Sequence, residues 1–227
     1  MQGQTAILIF ANSSQVDLVR KGVSRNTGLF ISLNAHTLSI VKSTKLPYFQ
    51  ITENEQVGAT FGARFTNAIK RVYAKGYDNV ITIGNDTPHL TATTLLNTHK
   101  LLETNTCVLG PSTDGGFYLM GLHKSQFNES LFIKLPWQSS KLSKSITLLL
   151  SAFKVKVIRL ETLQDIDAEE DIKSVLRFSR SLNRFILKLL RSLFPYESQI
   201  FNRENLYIDG IHSHTFYNKG SPFGFSI

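Results

Sequence analysis

The 227-residue chain has a single cysteine, no long hydrophobic run and fewer acidic side chains (17) than basic ones (25). Cys107 alone rules out an intrachain disulfide and favours a reducing compartment, so the cytoplasm is the expected location. No His/Cys cluster has zinc spacing, because His212 and His214 lie near the end of the chain, far from Cys107. No G-x-S-x-G elbow presents a serine at a strand end, which argues against a Ser-His-Asp hydrolase. P-loop and G-x-G-x-x-G fingerprints are also missing, which narrows the nucleotide-binding options. The apolar run at residues 6–11 is too short for a signal core or a membrane span, and no basic segment precedes it; it reads as a buried first strand.

The formal net charge of +8 raises the question of nucleic acid, since Lys and Arg neutralise phosphates. The distribution argues against it. The first two thirds hold no compact Arg/Lys run with interleaved aromatics, and much of the excess lies between Lys173 and Arg191. Nucleic acid is not an expected partner.

The composition, 42% hydrophobic and 19% charged, suits one main globular domain. Strand signals alternate with helical periodicity: residues 5–11, then 30–41, then 48–52, then a helix over about 60–75 that Gly76 stops. In that helix Phe61, Phe65, Ala68, Ile69 and Val72 share the face that would pack on a sheet. Residues 80–83 are the next strand, and Thr91 caps a second helix with Leu95, Leu96, Leu101 and Leu102 as buried positions. Strands follow at 106–110 and 117–122, a helix at 143–153, a strand at 155–160 and a last helix from Asp167. The expected fold is therefore α/β, a mostly parallel sheet covered on both faces.

Ile172, Val175, Leu176, Leu182, Phe185, Ile186, Leu189, Leu190 and Leu193 form a C-terminal apolar stripe opposite basic residues, in a helix expected to end before Pro195. Closure of the core or of a homodimer interface is the preferred reading; a helix lying on a membrane surface shows the same pattern and ranks below it. The tail beyond it is rich in aromatics, Asn, Gly and Ser, with weak strand signals at 205–208.

Three acidic clusters are candidates for chemistry. Val80-Ile81-Thr82-Ile83 breaks into Gly84-Asn85-Asp86-Thr87-Pro88, which places Asp86 at the carboxyl end of a strand, where open α/β sheets bind ligands. Asp86 before Thr-Pro and Asp114 before Gly115-Gly116 are also ordinary turn residues. Asp167 with Glu170 has capping-box spacing, which accounts for Asp167 and leaves Asp165 without a structural role. Mg²⁺ takes oxygen ligands, commonly one or two carboxylates plus substrate phosphates, so Asp86 with Asp165 or Asp167 would suit it at neighbouring strand ends.

Ile83-Gly84-Asn85-Asp86-Thr87-Pro88-His89-Leu90-Thr91, Leu109-Gly110-Pro111-Ser112-Thr113-Asp114-Gly115-Gly116-Phe117-Tyr118-Leu119-Met120-Gly121-Leu122, Leu135-Pro136-Trp137, and Asp165-Ile166-Asp167 with Asp171 together resemble a bacterial family. It is the family of nucleotide-diphospho-sugar-transferase-like proteins that includes arsenosugar-biosynthesis glycosyltransferases, and the match in order and spacing runs over roughly residues 56–172. The resemblance implies a GT-A-like fold, close in shape to molybdenum-cofactor guanylyltransferases, over residues 1–178, with 179–227 as a C-terminal helix and tail packing on the core or a partner. It implies a metal, Mg²⁺ or Mn²⁺, held by Asp86, Asp165 and Asp167, and catalytic roles for Asp86, Asp114 and Asp167. Asn85, Gly115 and Gly116 would border the ligands, and Arg64 would face a phosphate or the acceptor, against the alternative of a solvated helix residue. Many relatives carry a Lys-x-Pro-Gly loop after the first strand; here Ala11 and Asn12 stand in that loop, and Lys21 and Arg25 are the nearby basic candidates for phosphate contact. The expected partners are a nucleoside diphosphate-sugar and a small-molecule acceptor, with glycosyl transfer as the leading activity. Nucleotidyl transfer is the enzymatic alternative, and a catalytically degenerate binding protein the other.

Overall fold

The computed structural model of the protein describes residues 3–20, 27–178 and 182–193. Lys21, Arg25, the helix end before Pro195 and the tail with its weak strand at 205–208 lie outside the described residues. Strands β1 (Thr5–Phe10), β2 (Tyr48–Ile51), β3 (Asn79–Ile83), β4 (Cys107–Pro111), β5 (Phe117–His123) and β6 (Val157–Arg159) form one sheet in the order β2-β1-β3-β5-β4-β6. Its β1·β2, β1·β3 and β4·β6 pairs are parallel, and β5 runs antiparallel to both neighbours. The orientation of β5 follows from its short connection to β4: residues 112–116 are too few for the crossover that a parallel strand needs.

The helices are α1 (Ser14–Arg20), α2 (Thr27–Ser43), α3 (Phe61–Tyr73), α4 (Ala92–Leu102), α5 (Glu129–Ile133), α6 (Leu142–Ala152), α7 (Glu169–Arg177) and α8 (Arg184–Leu193). They cover both faces. On β1, Ala6, Leu8 and Phe10 join Phe65, Ala68, Ile69 and Val72 of α3 in one core, while Ile7 and Ile9 join Val41, Leu95 and Leu102 in the other. That alternation is the two-residue period of a strand buried on both sides. Residues 30–41 belong to α2, where Leu29, Leu33, Thr37 and Val41 recur every fourth residue as one buried face. Cys107 is fully buried in the first core, and burial pushes its thiol up to about 12, so it packs as an apolar residue.

Local signals place the helix that borders the site. The Thr60 hydroxyl accepts from the Ala63 amide at 3.1 Å and caps α3, and Gly76 follows its end in the left-handed region at φ 96°. Thr91 caps α4 in the same way, but Leu96 is 36% exposed: the buried positions are Leu95, Thr98 and Leu102, and Leu96 lies outside that i, i+3, i+7 face.

Two expectations about the C-terminal part need correction. The last helix opens at Glu169, and Asp167 and Glu170 do not form its capping box. Instead, Asp171 Oδ2 accepts from the Asp167 amide at 3.0 Å and the Ala168 amide at 2.8 Å, reaching back over the first turn. The apolar stripe is carried by two helices, α7 and α8, with Ile172, Val175, Leu182, Ile186 and Leu190 buried and Phe185 64% exposed. The compact unit that holds the sheet spans Met1–Leu190; the second unit, Arg191–Ile227, is described only at 191–193. Among the described residues, no helix is long and apolar enough to cross a membrane.

Candidate functional site

Strand β1 pairs with β2 on one side and β3 on the other, so the connections leaving β1 and β3 diverge. A crevice opens at such a switch point, at the carboxyl ends of the strands. Here it is a cleft of about 530 Å³ lined by the loops after β1, β3, β4 and β6 and by the first turn of α3. Its walls bring together Asp17, Asp86, Asp114, Asp165 and Asp167, and Arg64 is its one basic lining residue among the described residues.

The loops after β3 and β6 are tied to each other. The Ile166 amide donates to the Asp86 carbonyl at 2.9 Å, and the Thr87 hydroxyl donates to an Asp165 carboxylate oxygen. Ile166 is fully buried, which anchors the two flanking carboxylates at the rim. Leu163 bridges to Ser112, and the Thr113 hydroxyl donates to Gln164 at 2.8 Å, so the β4 loop is joined to the same assembly. Within it Asp114 does accept as a turn residue, from the Gly116 amide at 2.8 Å and from the Ser112 hydroxyl.

The other side of the cleft is a web of amides. Asp17 is 2% exposed, and its two oxygens accept from Asn12 Nδ2 at 2.9 Å and Asn85 Nδ2 at 3.0 Å. Asn85 Nδ2 also donates to Asn34 on α2. Asn85 therefore joins β3 to α1 and α2, and its amide nitrogen is engaged with protein acceptors.

Asp165 is pushed up to about 8 from an ordinary 3.8, first by burial and then by the nearby Asp86 charge, with Asp114 adding to it; the Thr87 and Ser112 hydroxyls act in the opposite direction. A hard divalent cation that takes two protein carboxylates and completes its shell with phosphate and water fits this pair, because its charge would offset the burial and the repulsion that together keep Asp165 protonated. Among the described residues, no three His, Cys, Asp or Glu side chains are gathered closely enough to hold a metal. Asp86 and Asp165 are the electrostatically linked pair, with Asp167 exposed on the same rim.

The raised value has a sign for stability. Between about 4 and 8 the unfolded chain ionises Asp165 while the native state keeps it protonated, so native stability falls as pH rises through that window. With a chelator present, the melting temperature of the wild type relative to Asp165→Asn is expected to drop from pH 4 to pH 8. A difference independent of pH would contradict the raised value of Asp165.

Of the residues singled out in the sequence, Ala11, Asn12, Arg64, Asn85, Asp86, Asp114, Gly116, Asp165 and Asp167 all line the cleft. Gly115 stands behind it, at φ 89°, where a Cβ would come within 2.1 Å of the Ser140 carbonyl oxygen. Lys21 and Arg25 lie outside the described residues. Sequence reasoning missed Asp17, which has no motif around it, and left Trp137 without a role although Leu135-Pro136-Trp137 belonged to the resemblance. The tryptophan packs on Phe61, Phe65 and Phe117, with ring centroids 5.5, 4.8 and 6.2 Å away, and makes an aromatic wall of the cleft.

Residues 34–139 match a family described as an uncharacterized protein conserved in bacteria, DUF2064. Among solved structures, one assigned as a nucleotide-diphospho-sugar transferase from Desulfovibrio desulfuricans G20 superposes with a TM-score of 0.73 at 20% identity, covering 84% of this chain and 95% of that one. The 4-diphosphocytidyl-2C-methyl-D-erythritol synthase of Anaerococcus prevotii DSM 20548 superposes with a TM-score of 0.54 at 13% identity, over 79% of this chain and all of that one (100%). At such identities the likeness is one of fold. No curated protein sequence matches the chain.

Proposed function

We propose that this chain, whose residues 34–139 match the bacterial family DUF2064 and whose fold is that of a nucleotide-diphospho-sugar transferase, is a metal-dependent glycosyltransferase. In this reading it binds a nucleoside diphosphate-sugar and transfers the sugar to a small acceptor. The observation that carries it is the tied pair Asp86 and Asp165 at the switch-point crevice, with three further carboxylates on the same walls and one arginine. A diphosphate entering alone would meet net negative charge, so the site favours one that arrives with a divalent cation.

Asp86 and Asp165 would hold Mg²⁺ or Mn²⁺, which when bound neutralises the diphosphate as a leaving group. The acceptor hydroxyl oxygen forms a bond to C1 of the sugar as the bond from C1 to the diphosphate oxygen breaks. The electron pair of that bond leaves with the nucleoside diphosphate, and the hydroxyl proton passes to a cleft carboxylate, for which Asp114 and Asp167 are the exposed candidates. The amide web of Asn12, Asp17 and Asn85 holds the β1 and β3 loops in register with one another. The buried lone Cys107 accords with a cytoplasmic setting.

Titration calorimetry with UDP-, GDP- and ADP-sugars, with and without Mg²⁺ or Mn²⁺, tests the reading. Saturable heat that requires the metal is expected for at least one nucleotide-sugar. Binding confined to nucleoside triphosphates would favour nucleotidyl transfer, and no nucleotide binding under any condition would overturn both.

A further inference from the structure

The cleft has two chemically unlike parts. One is built from the strand-end carboxylates; the other is the aromatic wall of Phe61, Phe117 and Trp137, with Arg64 over the Phe61 ring and Gln138 next to Trp137 in the chain. We propose that the aromatic part is the acceptor subsite and that its occupant is a sugar ring, seated with its C–H face on Trp137 and its hydroxyls on the amides and guanidinium around it. The proposal rests on the glycosyltransferase reading above and names the acceptor class that reading leaves open.

Trp137 is fixed before any ligand arrives. Its Nε1 donates to the Phe132 carbonyl at 2.7 Å, and a Cβ on Gly62 would stand 2.5 Å from its Cδ1, so the indole lies directly against the backbone of α3. The indole N–H is thereby used, and what remains for a ligand is ring surface. Such a surface, electron-rich on its face, attracts polarised C–H groups.

The polar groups beside it match the rim of a sugar. Arg64 is half-buried, lies 6.0 Å from the Phe61 ring centroid and forms no ion pair among the described residues, although five carboxylates line the same cleft. Its planar fork is positioned on the aromatic side, where it can donate to two adjacent hydroxyls at once. Gln138 follows Trp137 directly and holds φ 58°, an uncommon conformation for a residue with a side chain and one that recurs at ligand sites. An apolar wall with a few convergent polar groups is the usual build of a small-molecule subsite. A nucleobase is the rival occupant of an aromatic face, since Phe61 stands 5.7 Å from Phe10 at the end of β1, and titration with UDP decides between the two.

Trp137 is the chain's single tryptophan, so its emission reports this wall alone. The full chain with Mg²⁺ would be titrated with a panel of methyl glycosides and disaccharides, with UDP, and with inorganic phosphate. At least one saccharide is expected to change the emission saturably, with affinity at least tenfold weaker in Arg64→Ala and only partly restored in Arg64→Lys, which keeps the charge but loses the fork. UDP and phosphate are expected to leave the emission unchanged. The proposal is overturned if no saccharide alters the emission, if the response survives Arg64→Ala undiminished, or if UDP alone produces it. Metal-dependent heat from a nucleotide-sugar is measured separately by calorimetry: its persistence with a silent tryptophan removes the acceptor subsite only, whereas its absence removes the reading beneath it.

Discussion

Asp86→Ala is expected to weaken metal-dependent nucleotide-sugar binding by roughly a hundredfold or more, since even the outer partners of metal ligands are worth about 10 to 100-fold. Asp86 stands in the loop just past β3, whose end defines the crevice, its carbonyl anchors the Ile166 amide, and its charge raises Asp165. Removing the carboxylate leaves Asp165 as a single donor and relieves the repulsion on it, so the loss of binding should come with a melting temperature within a few degrees of the wild type. Calorimetry with the nucleotide-sugar and metal that bind the wild type, beside a thermal melt of each protein, separates the two effects. Unaltered metal-dependent binding in the variant would show that the ion is held elsewhere.

Gly115→Ala should destabilise the fold by about 3 kcal/mol or more, combining a left-handed backbone with an overpacked contact. The added Cβ would meet the Ser140 backbone at 2.1 Å, and φ at this residue is 89°. The same backbone serves α6, because the Gly115 carbonyl accepts from the Ser143 amide at 3.0 Å. Neither partner is the free end of a side chain, so relief requires the β4 loop to move away from α6. Urea denaturation of the variant measures the loss. Wild-type stability with impaired ligand binding would instead make Gly115 a ligand contact, as the resemblance implies.

Much of the molecule was legible before its shape was known, for reasons that differ by element. Helix α3 announced itself because Thr60, the Phe65-Ala68-Ile69-Val72 face and Gly76 are local signals that agree. Strands β1 and β3 were legible as apolar runs ended by turn residues, and Asp86 as the carboxylate at one such end. The division of α7 from α8 was not, since the apolar spacing from Ile172 to Leu190 continues across the break. Leu95 and Leu96 look alike as neighbouring apolar residues in the sequence, but the buried face of α4 carries Leu95 and Thr98 and leaves Leu96 36% exposed. Asp17 carried no local signal at all: its role comes from Asn85, 68 positions away.

By itself the sequence determined the periodicities, the caps and stops of the helices on the site's border, and which carboxylates stand at strand ends, because each depends on residues within a few positions of one another. Tertiary structure alone decided that Asp86 and Asp165 share one rim, that Asp17 is buried beneath Asn12 and Asn85, and that Trp137 faces the same cleft from the loop before α6. Those are contacts between segments far apart in the chain, made by the strand order β2-β1-β3-β5-β4-β6 and by the reversal of β5, and no local propensity encodes them.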